Sequence, residues 1–160
     1  MMGKTFLSSF IAAIFLLSIQ GCATISPFDQ FAYAQVTAVK VDVLEMMDKS
    51  IEPYQNHEKE IGELNKKLLK IVEYEKHRPK NGVTLKMWSK LFGVDSIGVP
   101  DNTTIIPSYW AKWKKDGSEN PIFLIEAKGV VSEGFDLIAQ LESQKIKPTD
   151  SQISSFLSNK

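Results

Sequence analysis

Apolar residues in the first part of the mature chain recur three or four positions apart, which is the period of an α-helix. The repeating positions are Phe31, Ala32, Val36, Val39, Val43, Met46, Met47 and Ile51. Valines at 39, 41 and 43 would also suit a strand, but the periodic run is longer than a typical strand. Ser26-Pro27 with an acid at Asp29 has the pattern of a helix start. The segment is therefore predicted to be a helix that ends before Pro53.

A second helix is predicted from about residue 55 to residue 76. Its apolar seam consists of His57, Ile61, Leu64, Leu68 and Ile71. Their alternating spacings match the a and d positions of a heptad repeat. The seam is too short for a free-standing coiled coil, so the second helix is expected to pack on the first as a helical hairpin.

The rest of the chain is predicted to form shorter helices with irregular joints. They are expected at about residues 85–92, 108–115, 121–144 and from 149 onward, because capping, proline or glycine residues bound each one. Gly129 and Gly134 lie in the longest of these helices and would permit close packing. The pattern predicts a mainly α fold, an irregular bundle of five or six helices that begins with the hairpin.

Residues 1–21 have the three regions of a secretory signal peptide. Lys4 supplies positive charge, an apolar run extends from Phe6 to Leu17, and residues 19–21 form the cleavage end. A membrane-spanning helix needs about 20 apolar residues, whereas this run is shorter and contains serines. Cleavage and export are therefore predicted.

The signal ends at the only cysteine of the chain, in the sequence Ile19-Gln20-Gly21-Cys22. This segment resembles the lipobox of bacterial lipoproteins, although Gln20 stands where that family more often has a small residue. The resemblance covers the first 22 residues and implies cleavage before Cys22, diacylation of its thiol and usually acylation of its amine. Two or more acyl chains hold a protein stably on a bilayer. The chain then divides into a signal peptide (1–21), a lipidated Cys22 with a short tether (22–26) and one helical domain (27–160).

Ala23 follows the predicted lipidation site. In Gram-negative lipoproteins an aspartate at that position commonly signals retention in the inner membrane. The resemblance therefore implies the periplasmic face of the outer membrane, or the outer face of the cell membrane in other bacteria. Only residues 23–25 separate Cys22 from the predicted helix start, so the domain is expected to lie close to the bilayer.

Charge and composition restrict the partners. The chain has 19 basic and 19 acidic side chains, so no global field favours binding to nucleic acid. All basic residues except Arg78 and the histidines are lysines, which argues against a bidentate phosphate clamp. With Cys22 lipidated, no thiol is left for a disulfide, a metal or catalysis. No cofactor is expected apart from the covalent lipid.

The most distinctive stretch of the mature chain is Tyr109-Trp110-Ala111-Lys112-Trp113-Lys114-Lys115. Its two tryptophans share a helix face and lysines surround them. Such a surface is typical of a lipid headgroup contact, a sugar platform or an anchor for a protein partner. The alternative is that Tyr109 and Trp113 are core residues and the lysines a solvated face. The predicted binding surface is Tyr109, Trp110, Lys112, Trp113, Lys114 and Lys115.

Patterns for metal binding and catalysis are weak. His57 falls on the apolar seam and His77 at a helix end, without the HExxH spacing of a zinc site. The sequences around Glu126 and Glu133 resemble the glutamate-centred segment of lytic transglycosylases. The serine that follows the catalytic glutamate in that family is missing here, as is its later glycine-containing segment. Neither a metal site nor an enzymatic activity is predicted.

The sequence thus predicts a non-enzymatic envelope lipoprotein with a structural or adaptor role, acting through contacts with another envelope protein. Two alternatives stay open. One is an envelope protein that binds or cleaves glycan, and the other is an immunity or inhibitor lipoprotein. Apart from the short segments around Glu126 and Glu133, no family resemblance covers residues 23–160.

Overall fold

The computed structural model describes residues 26–93, 103–143 and 148–158. These residues form six α-helices, namely α1 (Gln30–Asp48), α2 (Glu58–Lys76), α3 (Gly82–Phe92), α4 (Ile105–Asp116), α5 (Pro121–Ser143) and α6 (Asp150–Ser158). Two single-turn 3₁₀ helices, Lys49–Ile51 and Tyr54–Asn56, connect α1 to α2. The predicted mainly α bundle is confirmed, and the valine-rich segment is helical. Among these helices, none has the length and apolar character needed to cross a bilayer.

Helix α1 begins three residues later than the sequence pattern predicts. Its N-cap is Asp29, whose Oδ1 accepts hydrogen bonds from the amides of Phe31 at 2.9 Å and Ala32 at 3.1 Å. This carboxylate satisfies two amides that have no partner within the helix, and it interacts favourably with the helix dipole. Pro27 therefore precedes the helix, and Ser26 is buried.

The other helix ends mostly follow their sequence signals. Asn120 caps α5, since its Oδ1 accepts a hydrogen bond of 2.8 Å from the amide of Ile122. Helices α3 and α4 end at Gly93 and Gly117, whose φ angles of 82° and 85° suit glycine. Helix α3 begins at Gly82, three residues before its predicted start, so Thr84 lies inside the helix and is buried.

Helix α1 lies at the centre of the bundle and packs against α5 and α2. Lys40 pairs with Asp136 and Asp48 pairs with Lys128, so α1 and α5 run antiparallel. The predicted hairpin of α1 and α2 is also present. Exposed ion pairs contribute only about 0–1 kcal/mol each, so the apolar contacts between these helices hold the bundle together.

Helix α2 buries the seam that the heptad pattern predicts. Its members His57, Ile61, Leu64, Leu68 and Ile71 are all buried. The apolar stripe predicted for α1 was expected to be buried, but two of its residues, Phe31 and Ile51, are each more than half exposed. Both residues lie at the ends of the stripe, Phe31 in the first turn of α1 and Ile51 after its last turn.

Gly134 brings α3, α5 and α6 into close contact. A Cβ atom at this position would lie 2.5 Å from Cζ of Phe156 and 2.8 Å from Cδ2 of Leu91. Phe156 is the buried residue of α6, so the glycine makes room for α6 to pack. Gly129 has open space around it. The predicted close packing is therefore confirmed at Gly134 and wrong at Gly129.

Substituting the two glycines of α5 by alanine provides a matched test of this contact. Each substitution gains about 1 kcal/mol of helix propensity, but the methyl group at Gly134 must displace the Phe156 ring. We expect the free energy of unfolding of Gly134→Ala to lie about 1–3 kcal/mol below that of Gly129→Ala in urea denaturation. Equal stabilities would contradict the close approach of α6.

Candidate functional site

Helix α4 carries the predicted binding surface, and the structure buries its aromatic members. Tyr109, Trp110 and Trp113 expose 5%, 4% and 0% of their surfaces. This matches the alternative in which Tyr109 and Trp113 are core residues, and it places Trp110 in the core as well. Their helical spacing reflects the face of α4 that packs against α3, α5 and the second 3₁₀ turn.

Trp113 fixes α4 against the connection between α1 and α2. Its indole Nε1 donates a hydrogen bond of 2.9 Å to the carbonyl of Glu52. Its ring meets Tyr54 edge to face at a centroid distance of 5.3 Å. One turn earlier, the hydroxyl groups of Tyr109 and Ser50 share a buried hydrogen bond of 2.6 Å. The aromatic residues of α4 thus hold both 3₁₀ turns in place.

Lys112 is engaged by neighbouring carboxylates. Its Nζ lies 2.8 Å from Asp116 and 2.7 Å from Glu119. Hydrogen bonds to Asp116 and to Glu119 raise the pKa of Lys112 above its ordinary value. The same ammonium lies 4.5 Å from the centre of the Phe123 ring, a favourable cation–π geometry. This lysine therefore ties the end of α4 to the start of α5.

The other two lysines of the predicted surface point to solvent. Lys114 contacts Glu58 at 2.7 Å and lies 5.3 Å from the centre of the Tyr54 ring. Lys115 is exposed. Acidic partners offset two of the three positive charges on α4, so the field at this surface is weaker than the sequence suggests. Binding of a partner by these lysines stays a prediction.

A groove of about 280 Å³ lies between α4 and α5. Tyr109 and Lys112 border it. The remaining lining residues are mostly apolar: Thr104, Ile105, Ser108, Phe123, Ala127, Val130 and Val131. Pockets for small molecules usually measure roughly 300–1,000 Å³, so this groove suits a single side chain or a short apolar group. It brings two of the six predicted residues to the edge of an apolar recess.

A second cluster, which the sequence reasoning missed, is buried at the other end of the bundle. Glu75 and Glu142 are almost fully buried, and both contact Nη1 of Arg78, Glu75 at 2.8 Å. The side-chain amide of Asn81 donates to Glu75 at 2.6 Å, and the hydroxyl of Thr84 donates to Glu142 at 3.3 Å. Two buried carboxylates therefore share one guanidinium where α2 and α5 end and α3 begins.

The Glu142 carboxyl has a perturbed pKa. Burial raises this pKa and the charge of Glu75 raises it further, whereas the hydrogen bond and charge of Arg78 lower it. Carboxylates in unequal environments can divide acid and base roles in enzymes. Here the protein encloses both side chains, and the arginine crosslinks α2 to α5. The cluster accordingly fixes the relative position of three helices.

Arg78 also holds the segment that leads to the predicted lipidation site. Its Nη2 donates a hydrogen bond of 3.0 Å to the carbonyl of Pro27, and its Nε lies 3.5 Å from the carboxylate of Asp29. The Tyr74 hydroxyl donates to the same carboxylate at 2.5 Å. Cys22 and the predicted cleavage point lie outside the described residues. The chain is nevertheless bound to the bundle from Pro27 onward.

The two histidines lie at opposite ends of α2. The ring nitrogens of His57 are 2.9 Å from Glu52 and 3.2 Å from Glu60. His77 is exposed and contacts Glu73 at 3.1 Å. In the part of the chain that the structure describes, no group of three or more His, Cys, Asp or Glu side chains could hold a metal ion.

Glu126 and Glu133, which motivated the glycan-cleaving alternative, are both exposed on α5. They are separated by two helical turns, or about 10 Å along the axis. Neither residue lines the groove beside α4. The structure therefore places both carboxylates on the exposed surface of α5, outside that groove.

The comparison with known proteins adds no relative on which a function could be based. No protein-family model matches the chain, and neither a curated protein nor a solved structure is similar to it.

Proposed function

We propose that the chain is a bacterial lipoprotein, held at the outer membrane through acyl chains on Cys22, that serves another envelope protein as a non-enzymatic structural or adaptor component. The observation that carries the proposal is the attachment of the N-terminal segment to the bundle. Arg78 and Tyr74 hold Pro27 and Asp29 directly. A lipid joined to a rigid bundle by so short a segment would restrict the position and orientation of the bundle on the membrane. An adaptor needs that restriction, because it presents one surface to a partner at a fixed distance from the membrane.

The orientation of α1 determines which surface is presented. Its 19 residues rise about 28 Å from the end that contains Asp29, which we call the anchored end. At the opposite end, the amide of Glu119 donates to the carbonyl of Ser50, which places the start of α5 beside the end of α1. The isoleucines in these two segments, Ile51, Ile122 and Ile125, are each more than half exposed. We call these three residues the distal surface. We assign the partner contact to this surface, because grouped exposed apolar side chains mark interaction sites.

Cys22→Ser is expected to abolish both lipid attachment and the cleavage that depends on it, since the chain has no other cysteine. Labelling of growing cells with a palmitate analogue, together with the mass of the processed protein, measures both effects. Ser9→Ala, within the same signal segment, is the control and should label normally. A Cys22→Ser protein that still carries lipid would refute the lipobox assignment.

Photo-crosslinking from the distal surface tests the adaptor role. We expect a photoreactive amino acid at position 122 or 125 to capture one dominant envelope protein in intact cells. The matched control is position 41, because Val41 is also an exposed aliphatic residue but lies midway along α1. Mass spectrometry of the adducts identifies the partner.

The other outcomes of this experiment each have a definite meaning. Equal capture from positions 41 and 125 would show that the distal surface is not the contact site. Cell-wall fragments in the adducts would favour the glycan-binding alternative. Capture of a soluble toxin or lysozyme would favour the immunity or inhibitor alternative. A complete lack of adducts from all three positions would contradict the adaptor role.

A further inference from the structure

Four aromatic side chains are exposed around the anchored end. Phe28 and Phe31 expose 54% and 58% of their surfaces, and Tyr33 and Tyr74 expose 39% and 37%. We call these four residues the aromatic rim. Exposed aromatic side chains that gather at one end of a bundle are typical of an interaction surface rather than of a solvated one.

The rim is held in a fixed arrangement. The rings of Phe31 and Tyr74 meet edge to face at a centroid distance of 5.2 Å. The Tyr74 hydroxyl is hydrogen-bonded to Asp29, which caps α1 between Phe28 and Phe31. Phe28 and Tyr33 occupy the two positions that commonly pair across a helix N-terminus. Ordering these rings on a surface would therefore cost little additional conformational entropy.

Chain length places the rim beside the predicted lipid. Cys22 and Phe28 are six residues apart in the sequence, and six residues span at most about 22 Å even when fully extended. The segment from Pro27 onward is bound to Arg78. Acyl chains on Cys22 would thus hold a bilayer within a few residues of the rim, whereas the distal surface lies a helix length away.

The chemistry of the rim suits lipid headgroups. Aromatic side chains are enriched at the boundary between headgroups and acyl chains, and lysines near them can contact lipid phosphates. Lys70 and Lys80 are both exposed near the end of α2 that contains Tyr74. Two acidic residues here already have partners, since Asp29 accepts from Tyr74 and Glu73 contacts two basic side chains at the end of α2. The surface therefore offers aromatic rings and lysines with few free carboxylates.

We propose that the aromatic rim enters the headgroup layer of the bilayer that carries the Cys22 lipid, and so forms a second, non-covalent membrane contact. The inference rests on the proposed lipid anchoring and adds the orientation of the domain. Inserting the rim directs the anchored end toward the membrane. The distal surface then faces away from it.

Site-specific fluorescence of the full lipidated protein tests this placement. An acylated Cys22 has no free thiol, so one introduced cysteine takes a single environment-sensitive dye. Phe31→Cys reports on the rim, and Val41→Cys is the control, because Val41 is similarly exposed and lies about 15 Å further along the same helix. The protein is reconstituted into vesicles of phosphatidylethanolamine and phosphatidylglycerol, with and without bromine on the acyl chains.

We expect a blue-shifted dye at position 31 that brominated lipid quenches several-fold, and an unchanged dye at position 41. Equal, weak quenching at both positions in acylated protein would overturn the rim contact and leave the anchor intact. A dye at position 31 that shows energy transfer between protein copies without lipid quenching would assign the rim to a second copy of the chain instead. The mass of the protein checks acylation separately, and an unacylated mature protein would overturn the anchor and this placement together.

Discussion

Replacing Arg78 with alanine is expected to lower the free energy of unfolding by about 3–5 kcal/mol at neutral pH. The guanidinium is the shared partner of Glu75 and Glu142, and all three side chains are nearly enclosed. Removing it leaves two buried carboxylates without a counter-charge. A typical domain has a free energy of unfolding of about 5–15 kcal/mol, so the variant would lose a large part of its stability. Urea denaturation of residues 22–160, expressed without the signal segment and with Cys22→Ser so that no lipid is attached, measures the change.

The cost of Arg78→Ala should depend on pH in a direction set by Glu142. The pKa of Glu142 in the folded protein is raised above its ordinary value of 4.5. The stability that this carboxyl contributes is therefore fully present below pH 4.5 and is lost as the pH rises through the folded-state pKa. Because Arg78 acts to lower that pKa, its removal raises the pKa further. The deficit of the variant should therefore be largest at neutral pH and should shrink as the pH falls toward 4.5.

Two further variants separate the charge effect from a simple loss of packing. In the Arg78→Ala background, Glu142→Gln removes one uncompensated charge and should restore part of the stability, whereas by itself it should destabilise the protein. Lys67→Ala removes an exposed pair with Asp42 and should cost no more than about 1 kcal/mol. A loss at Arg78 no larger than that at Lys67, and independent of pH, would contradict a charged buried cluster.

Apolar spacing identified the helices of this protein because the core is built from helix faces. The seam of α2 from His57 to Ile71 is buried as its period predicts. Local rules also placed the end of α3 at Gly93 and the start of α5 at Asn120. Such features depend on neighbouring residues in the chain, and a single sequence contains that information.

The buried charged cluster was not predicted, because it depends on contacts between distant parts of the sequence. Glu75 continues the heptad spacing of the α2 seam by one position, and a glutamate in a core position was the available signal. Its partner Glu142 is far along the chain and follows Leu141 on a buried face. No rule of local spacing connects the two residues to Arg78.

For a related reason, the sequence could not decide whether the aromatic face of α4 is buried or exposed. Trp110 and Trp113 share a helix face in either case, whether that face is buried or exposed. Phe31 belongs to an apolar stripe but lies in the first turn of α1, at an end of the bundle, and is exposed. Exposure at a bundle end depends on the relative lengths of packed helices, which spacing within one helix does not encode.

Trp113→Ala is expected to destabilise the protein by about 3–5 kcal/mol, rather than to remove a binding surface selectively. The ring is fully buried, so its loss leaves a large cavity between α4 and the 3₁₀ turns. The carbonyl of Glu52 also loses the hydrogen bond from Nε1. Urea denaturation should show the loss, and partner capture from the distal surface should decline only in proportion to the unfolded fraction.

Two further variants separate the effect of the buried ring from that of an exposed side chain, namely Trp113→Phe and Lys115→Ala. Phenylalanine keeps most of the buried ring and removes the indole donor, so its cost should be smaller, about 1–3 kcal/mol. Lys115→Ala removes an exposed side chain and should leave the stability within about 0.5 kcal/mol. Of these two side chains, only Lys115 is accessible to a partner. If α4 contacts the partner, Lys115→Ala should weaken capture without lowering the stability. Trp113→Ala should weaken capture only to the extent that it unfolds the protein. A folded, fully stable Trp113→Ala protein that fails to bind would restore the tryptophan as a contact residue and contradict its place in the core.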